Sequence, residues 1–281
     1  MIAAAMDCVD LHCHSRASDG LLAPAEVVRR ARAHGVTTLA LTDHDETSGL
    51  LDAARTAAEL GMRFVPGVEI SASWNDTVVH VLGLGIDAGE VRLGAGLRAL
   101  RAERPRRATK MAASLAAAGI PGGLEGAMAY AGNPQLIGRA HFARFLIAMG
   151  VARDMKGVFQ RYLVPGKPGY VPHEWATITD AVSWIEAAGG IAVLAHPARY
   201  AFSRGELRRF LGEFVDAGGK GIEVATSNHS REQCASFAAL AREFGLLGSR
   251  GSDFHGPGES RAELGTLPQL PDGLAPVWSV L

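Results

Sequence analysis

Short apolar runs alternate along this chain with longer stretches in which apolar positions recur every three or four residues. The short runs read as buried strands and the longer stretches as amphipathic helices. Strands are expected at Met6–His12, Thr37–Thr42, Arg63–Ile70, Val78–Leu84, Ile191–Ala195, Gly221–Ala225 and Leu246–Ser249. Helices are expected between them at Pro24–His34, Glu46–Leu60, Ile178–Ala188, Arg204–Ala217 and Arg231–Phe244. Pro24 stands where a first helical turn accepts proline. Gly35, Gly61, Gly189 and Gly245 stand where helices close on glycine. Repeated strand–helix–strand units imply a parallel sheet. Seven strands in a chain of this length favour a β/α barrel over an open sheet.

The stretch Gly94–Trp175 breaks that rhythm. It carries helix-like pieces, such as Leu97–Ala118 and Arg139–Met149, but no clear strand, and the loop LVPGKPGYVP closes it. It reads as a helical insertion between the fourth and fifth strands. The expected division is a barrel from residues 1–93 and 176–281, with residues 94–175 capping its mouth.

Composition narrows the function classes. The 281 residues are 48% hydrophobic, enough for a large core, and the formal net charge is −1. No global field draws nucleic acid or an acidic membrane, so a small anionic substrate needs locally placed cations. The three cysteines have no paired spacing and suggest a reducing compartment. MIAAAMDCVD lacks the basic region and apolar length of a signal peptide, Met6 is a candidate start, and no run reaches a membrane span. A cytoplasmic protein with no membrane contact and no obligate protein partner is expected.

Metal-capable side chains recur where the predicted strands end, the face on which β/α barrels build active sites. VDLHCHS places His12 and His14 on one face of the first strand, opposite Cys13, which reads as packing. TTLALTDHD delivers Asp43, His44 and Asp45. FVPGVEIS ends on Glu69, VVHVLGLG carries His80, IAVLAHP ends on His196, and GSDFHG offers Asp253 and His255. Taken singly these are weak: an HxH is often incidental, and a histidine in an apolar strand is usually a satisfied core residue. Together, six of the ten histidines and several carboxylates converge on one rim. A dry core does not tolerate that without something to pair them. Imidazole with carboxylate and no thiolate suits Mn²⁺, Zn²⁺ or Fe²⁺. The ligands are too many for one ion, and Glu69 is a candidate bridge.

HCHSRASDG, LTDHD, GVEIS, His80, LAHP and GSDFHG in this order resemble the PHP (polymerase and histidinol phosphatase) superfamily from about Asp7 to His255. The resemblance implies a distorted (β/α)₇ barrel with two or three divalent ions. It assigns His12, His14, Glu69 and Asp253 to a first ion. Glu69, His80 and His196 go to a second, and Asp19, His44 and His255 to a third. Many members have histidine where this chain has Asp19. HSRASDG, IGRAHFAR and GKPGYVP are most similar to phosphatases of 3′,5′-bisphosphorylated nucleotides and to related short-RNA 5′→3′ exonucleases.

The expected activity is removal of the 3′-phosphate from such a nucleotide, with short-RNA trimming or histidinol phosphate hydrolysis as alternatives. Ser15, Arg16, Arg139, Lys167 and Arg199 are the candidate substrate contacts. Arg139, His141 and Arg199 are the candidate catalytic groups, His141 as an orienting or protonating residue. Asp10, Asp43 and Asp45 are candidate partners that orient ligating imidazoles, and Glu223 a weaker one. RAERPRRATK reads as a solvated helix start, and His173 and His229 as surface loop residues. An amidohydrolase barrel also begins with HxH, but commonly uses a lysine after a middle strand. Lys110, Lys156 and Lys167 lie in the insertion or its loop, and Lys220 precedes its strand.

Overall fold

A computed structural model describes residues 7–281. The expected first strand began at Met6, which lies outside them; the strand itself is short. β1 (Val9–Asp10), β2 (Thr38–Leu41) and β3 (Arg63–Trp74) run parallel. Helices α1 (Pro24–Ala33) and α2 (Leu50–Glu59) join them. From Leu11 onward the first segment pairs irregularly with the last strand and the loop after it, while Thr42 N–H, just past β2, still donates to the Cys13 carbonyl (3.0 Å). The pairing with the last strand closes the barrel.

β4 (Thr77–Leu84) departs from the expected parallel sheet. It is antiparallel to β3, with Ser71 opposite His80. It is also antiparallel to its other neighbour, β6 (Ile191–Leu194). The connection from β3 is a two-residue hairpin at Asn75 and Asp76, both at positive φ (44° and 60°). Such a turn suits asparagine and aspartate and joins only antiparallel strands. The reversal brings the start of β4, with His80, to the rim where the parallel strands end.

α3 (Val91–Ala117) follows and runs for 27 residues. Leu93, Leu97 and Leu100 join the main hydrophobic core, whereas Ala108, Met111 and Leu115 join a second one. The chain is helical through position 94, and the change of packing partner falls between Leu100 and Ala108. The second core is filled out by α4 (Gly123–Met128), α5 (Arg139–Ala148), α6 (Met155–Val158) and a π-turn at Phe159–Leu163. β5 (Ala176–Thr177), absent from the sequence expectation, returns the chain against the end of β3.

α7 (Ile178–Ala187), β6, α8 (Arg204–Asp216), β7 (Gly221–Thr226), α9 (Arg231–Phe244) and β8 (Leu247–Gly251) complete the alternation. The barrel closes through Leu11 N–H to the Arg250 carbonyl (3.0 Å), Asp253 N–H to the His12 carbonyl (2.7 Å) and His14 N–H to the Phe254 carbonyl (2.8 Å). Seven strands thus form a distorted, nearly closed barrel. Val9, Leu11, Ala40, Val65, Leu82, Leu84, Val193 and Ala195 fill its interior, and Val277 plugs one end. No helix among the described residues is long and apolar enough to cross a membrane.

Candidate metal centre

The candidate ligands reach the barrel mouth from several strand ends and loops, and the barrel brings all nine together. His12 and His14 come from the segment after β1, with their Nε2 atoms 3.2 Å apart. Both nitrogens also lie 3.2 Å from Glu69 Oε2 and 3.4 and 3.2 Å from Asp253 Oδ1. Glu69 Oε1 is 2.8 Å from His80 Nδ1 and 2.8 Å from His196 Nε2. His44 Nδ1 approaches Oε2 at 3.1 Å. Asp19 Oδ1 lies 3.5 Å from His255 Nε2 and 3.9 Å from His14 Nδ1.

The ligand atoms fall into three mutually close groups. These are His12, His14, Glu69 and Asp253; His44, Glu69 and His80; and His14, Asp19, His44 and His255. His196 joins the second through Glu69. His44 touches both the second and the third, and His14 both the first and the third, a sharing of ligands that the expected assignment did not contain.

These residues fit divalent ions. His14 Nδ1, His44 Nδ1, Glu69 Oε2 and Asp253 Oδ1 are buried with no hydrogen-bond partner. Leaving such atoms unpaired is costly unless a cation takes their lone pairs. Tautomers agree with this. His12 Nδ1–H donates to Glu223 Oε1 (2.9 Å), and His255 Nδ1–H donates to the Asp253 carbonyl (3.0 Å). In both rings Nε2 is left bare and faces the cluster. The backbone is strained at the same place. His196 (φ 28°), Asp253 (55°) and Asp45 (50°) are non-glycine residues at positive φ. Such conformations cost about 1–3 kcal/mol each and persist where surroundings over-determine them.

Charge explains the protonation states. Burial favours the uncharged form of Glu69 and Asp253. The imidazoles around Glu69, and Arg199 with His12 around Asp253, outweigh it and hold both carboxyls well below their ordinary range. Burial alone would depress His14, but Asp253, Glu69 and Asp19 push it up to about 10. Without ions, this ring carries a proton at neutral pH, which a bound cation must displace.

Of the expected orienting partners, only the weaker candidate, Glu223, touches a ligating imidazole. Asp10 accepts from Ser252 and Gly265 N–H, and Asp43 from Ser15 and Ser18. Asp45 holds Ser71 and Arg104. None of the three touches an imidazole. Glu223 does. It holds His12 Nδ1 with one oxygen and His196 N–H with the other (2.5 Å). A register shift in β7 lies at Glu223–Ala225, the kind of irregularity that re-aims a side chain. Tyr200, which the sequence did not single out, is a second such residue. Its hydroxyl accepts from His80 N–H (2.9 Å), donates to the Ala195 carbonyl (2.9 Å), and stands 3.3 Å from His196 Nδ1.

The expected substrate contacts divide. Arg199 stands at the cluster, paired with Asp253 Oδ2. Arg139 opens α5 half-buried, 5.7 Å over the Phe159 ring, with no hydrogen-bond acceptor or carboxylate partner among the described residues. Burial and the charges of Arg104 and Arg199 lower its pKa, and nearby Tyr170 opposes them. The buried Ser15 hydroxyl donates to Asp43 Oδ2 (2.7 Å) and accepts from Ala17 N–H. Arg16 is exposed and donates to the Leu21 carbonyl. Lys167 is exposed in the loop before Tyr170, and no contact ties it to the cluster among the described residues.

The basic run of α3 is not simply solvated. Arg104 and Arg107 are each 8% exposed and lie over Trp175 at 4.9 and 5.8 Å. His229 is not a free surface residue either. It donates to the Val224 carbonyl (2.8 Å) and stacks on Phe237. Cys13 packs as expected, with its thiol on the Ala40 carbonyl.

The profile of the PHP domain matches residues 10–190. The chain belongs to the PHP domain family. A 3′,5′-nucleoside bisphosphate phosphatase of Chromobacterium violaceum is 51% identical over 97% of this chain and 96% of its own. A 5′-3′ exoribonuclease of Haemophilus influenzae is 43% identical over 96% and 97%. A solved structure described as an amidohydrolase from Chromobacterium violaceum, with bound sulfate and no metal, superposes with TM-score 0.94. It shares 51% identity and covers 97% of this chain and 95% of that one. This PHP domain is a metal-dependent phosphoesterase. All four lysines are exposed, so none is buried among the ligands as the disfavoured amidohydrolase reading would want.

His141 sits beside this PHP centre, nearly fully buried. Its Nδ1 accepts from Gly138 N–H (3.0 Å), so the neutral ring carries its proton on Nε2. Burial lowers its pKa to about 4. The sign follows. A base depressed on folding stabilises above its ordinary value near 6.5, and loses that contribution as pH falls from there through about 4. In chelator, the melting temperature should therefore fall over that window, and His141→Asn should flatten the fall by up to roughly 3 kcal/mol. Superimposable pH profiles for the two proteins would contradict this.

Proposed function

We propose that this PHP domain hydrolyses the 3′-phosphate ester of nucleoside 3′,5′-bisphosphates, leaving the 5′-monophosphate. The observation that carries the reading is the pairing of a His/carboxylate cluster with an unpaired cation, Arg139, on the insertion above it. A substrate with two phosphates needs two anion sites, the cluster for the reacting group and Arg139 for the other. The bisphosphate phosphatase at 51% identity over nearly the whole chain supports this.

Two or three divalent ions, Mn²⁺ by preference, with Zn²⁺ or Fe²⁺ as alternatives, would be held by His12, His14, Asp19, His44, Glu69, His80, His196, Asp253 and His255. Bound ions of this kind lower the pKa of water and neutralise charge on phosphoryl oxygens. Arg199 would meet a phosphoryl oxygen of the reacting group, where a guanidinium offers two donors. His141, neutral with its proton on Nε2, would orient the sugar or the leaving oxygen as a donor. Lys167 and Arg16 are retained as outer contacts only.

Short-RNA trimming is the second reading, favoured by the exoribonuclease at 43% identity. A cationic substrate such as histidinol phosphate is disfavoured, because Arg107 and Arg139 have no carboxylate partner among the described residues and feel Arg104, and in the case of Arg139 also Arg199, as like charges. A cytoplasmic location follows from the nucleotide reading.

The test is phosphate release from 3′,5′-bisphosphoadenosine with Mn²⁺, beside histidinol phosphate and a 5′-phosphorylated short RNA. Selective release from the bisphosphate is expected. Arg139→Met should reduce kcat/KM for it by about 10–100-fold, the weight of a charge-assisted contact. Faster turnover of histidinol phosphate than of the bisphosphate would discard the assignment.

A further inference from the structure

The ligands differ in what holds them. His12, Glu69, His80 and His196 are fixed by barrel pairing, by Glu223 and by Tyr200. Asp19 and His255 instead occupy irregular loops, one after β1 and one after β8. α5 of the insertion reaches both. Arg144, 6% exposed, donates through Nη2 to the Asp19 carbonyl (2.6 Å). The same guanidinium donates to Glu259, from Nε to Oε1 (2.9 Å) and from Nη2 to Oε2 (2.7 Å). Next to Glu259, the Ser260 hydroxyl accepts from His255 N–H (2.7 Å) and Gly256 N–H (3.1 Å). One buried arginine thus spans the two loops whose ligands meet at Asp19 Oδ1 and His255 Nε2, 3.5 Å apart. Another ligand of that group, His44, precedes Asp45. The Asp45 carboxylate pairs with Arg104, and its carbonyl accepts from Arg101 (2.6 Å), both on α3.

We propose that Arg144 and Glu259 form a positioning pair through which the insertion builds the Asp19–His44–His255 metal position. His12, Glu69, His80 and His196, which serve the other two positions, are held by the barrel instead. This rests on the metal reading of the cluster. Three features support it. Arg144 is almost dry, so removing Glu259 leaves an uncompensated charge rather than a solvated one. Its two bonds to Glu259 are bidentate, which fixes direction as well as distance. Arg144 also lies on α5, the helix that Arg139 opens. An anion drawn to Arg139 therefore pulls on the element that sets Asp19 and His255. By linkage, an anion at Arg139 and an ion at this position should tighten one another's binding by the same factor.

The experiment is a Mn²⁺ titration of the full chain, starting from chelator-treated protein. It is read by calorimetry and by counting retained ions with mass spectrometry, with and without 5′-AMP. The proteins are wild type, Arg144→Met, Arg144→Lys and Glu259→Gln. In wild type we expect the weakest of three positions to tighten when 5′-AMP is added. In Arg144→Met that position should weaken by about 10–100-fold, the usual cost of losing a residue that orients ligands. The response to 5′-AMP should vanish, and the two tighter positions should stay within about twofold.

Arg144→Lys keeps the charge but not the fork, and should recover only part of the affinity. Glu259→Gln keeps the bond to the Asp19 carbonyl and should weaken the same position less, so it decides the matter if Arg144→Met does not fold. Unchanged affinity at the weakest position in both Arg144→Met and Glu259→Gln would overturn the proposal. So would equal weakening of all three positions, or a wild type that binds only two ions. A wild type that binds no ion would defeat the metal reading itself.

Discussion

Glu69→Gln is expected to lower kcat/KM by about a thousandfold or more, equivalent to about 4 kcal/mol of lost transition-state stabilisation. No other side chain touches so much of the cluster. One oxygen faces His80 and His196, the other His12, His14 and His44. The amide is nearly the same size, so packing is preserved. It removes the one negative charge shared by five imidazoles and turns one acceptor into a donor aimed at ring nitrogens. Metal content should fall with activity, because a neutral amide does not bridge cations as a carboxylate does. The measurement is steady-state phosphate release beside ions retained per chain. A variant that keeps wild-type metal content and more than about a tenth of wild-type kcat/KM would show that Glu69 is not the shared ligand.

Glu223→Ala should be the next largest effect, although Glu223 faces no ion directly. Its carboxylate, fully buried, fixes the His12 tautomer and holds the His196 backbone in a strained conformation. Removing it frees the His12 ring and orphans a buried N–H. Metal affinity should drop by about 10–100-fold. Stability should fall by about 1–3 kcal/mol for the unpaired donor. Glu223→Gln keeps an acceptor for one of the two donors and should recover part of both. A competition titration against a coloured chelator reads the affinity. Unaltered affinity in Glu223→Ala would mean that the bond to His12 is incidental.

These two residues show what the sequence discloses and what it hides. Glu69 was legible because a carboxylate at the end of an apolar strand has few structural reasons to be there. The same held for His12, His14, His44, His196, Asp253 and His255. Glu223 carried the same signal, but Asp10, Asp43 and Asp45 lay closer to histidines along the chain and were ranked above it. Distance along the chain misled. The partner of His12 is 211 residues away and is aimed by an irregularity in β7 that leaves no mark in the pattern of apolar positions. The direction of β4 was also missed, although the hairpin residues Asn75 and Asp76 were in view. The apolar run Val78–Leu84 reads alike in either direction, and only the two-residue turn distinguishes them. Arg104 and Arg107 look like any solvated run on one helix. Their burial depends on Trp175, which the return of the chain through β5 brings over them.

α3 has a mechanical consequence. It measures about 40 Å at 1.5 Å per residue, rooted by Leu93, Leu97 and Leu100 in one core and by Met111 and Leu115 in the other. A loop entering the insertion would let it swing freely; a continuous helix acts as a beam. The point of least stiffness is Pro105, which has no N–H to offer the carbonyl four residues before it. That carbonyl belongs to Arg101, whose side chain holds Asp45 beside the cluster. Flexure of the beam would therefore be felt at the rim next to His44, and its amplitude is bounded by the two anchored ends rather than by the length of any linker.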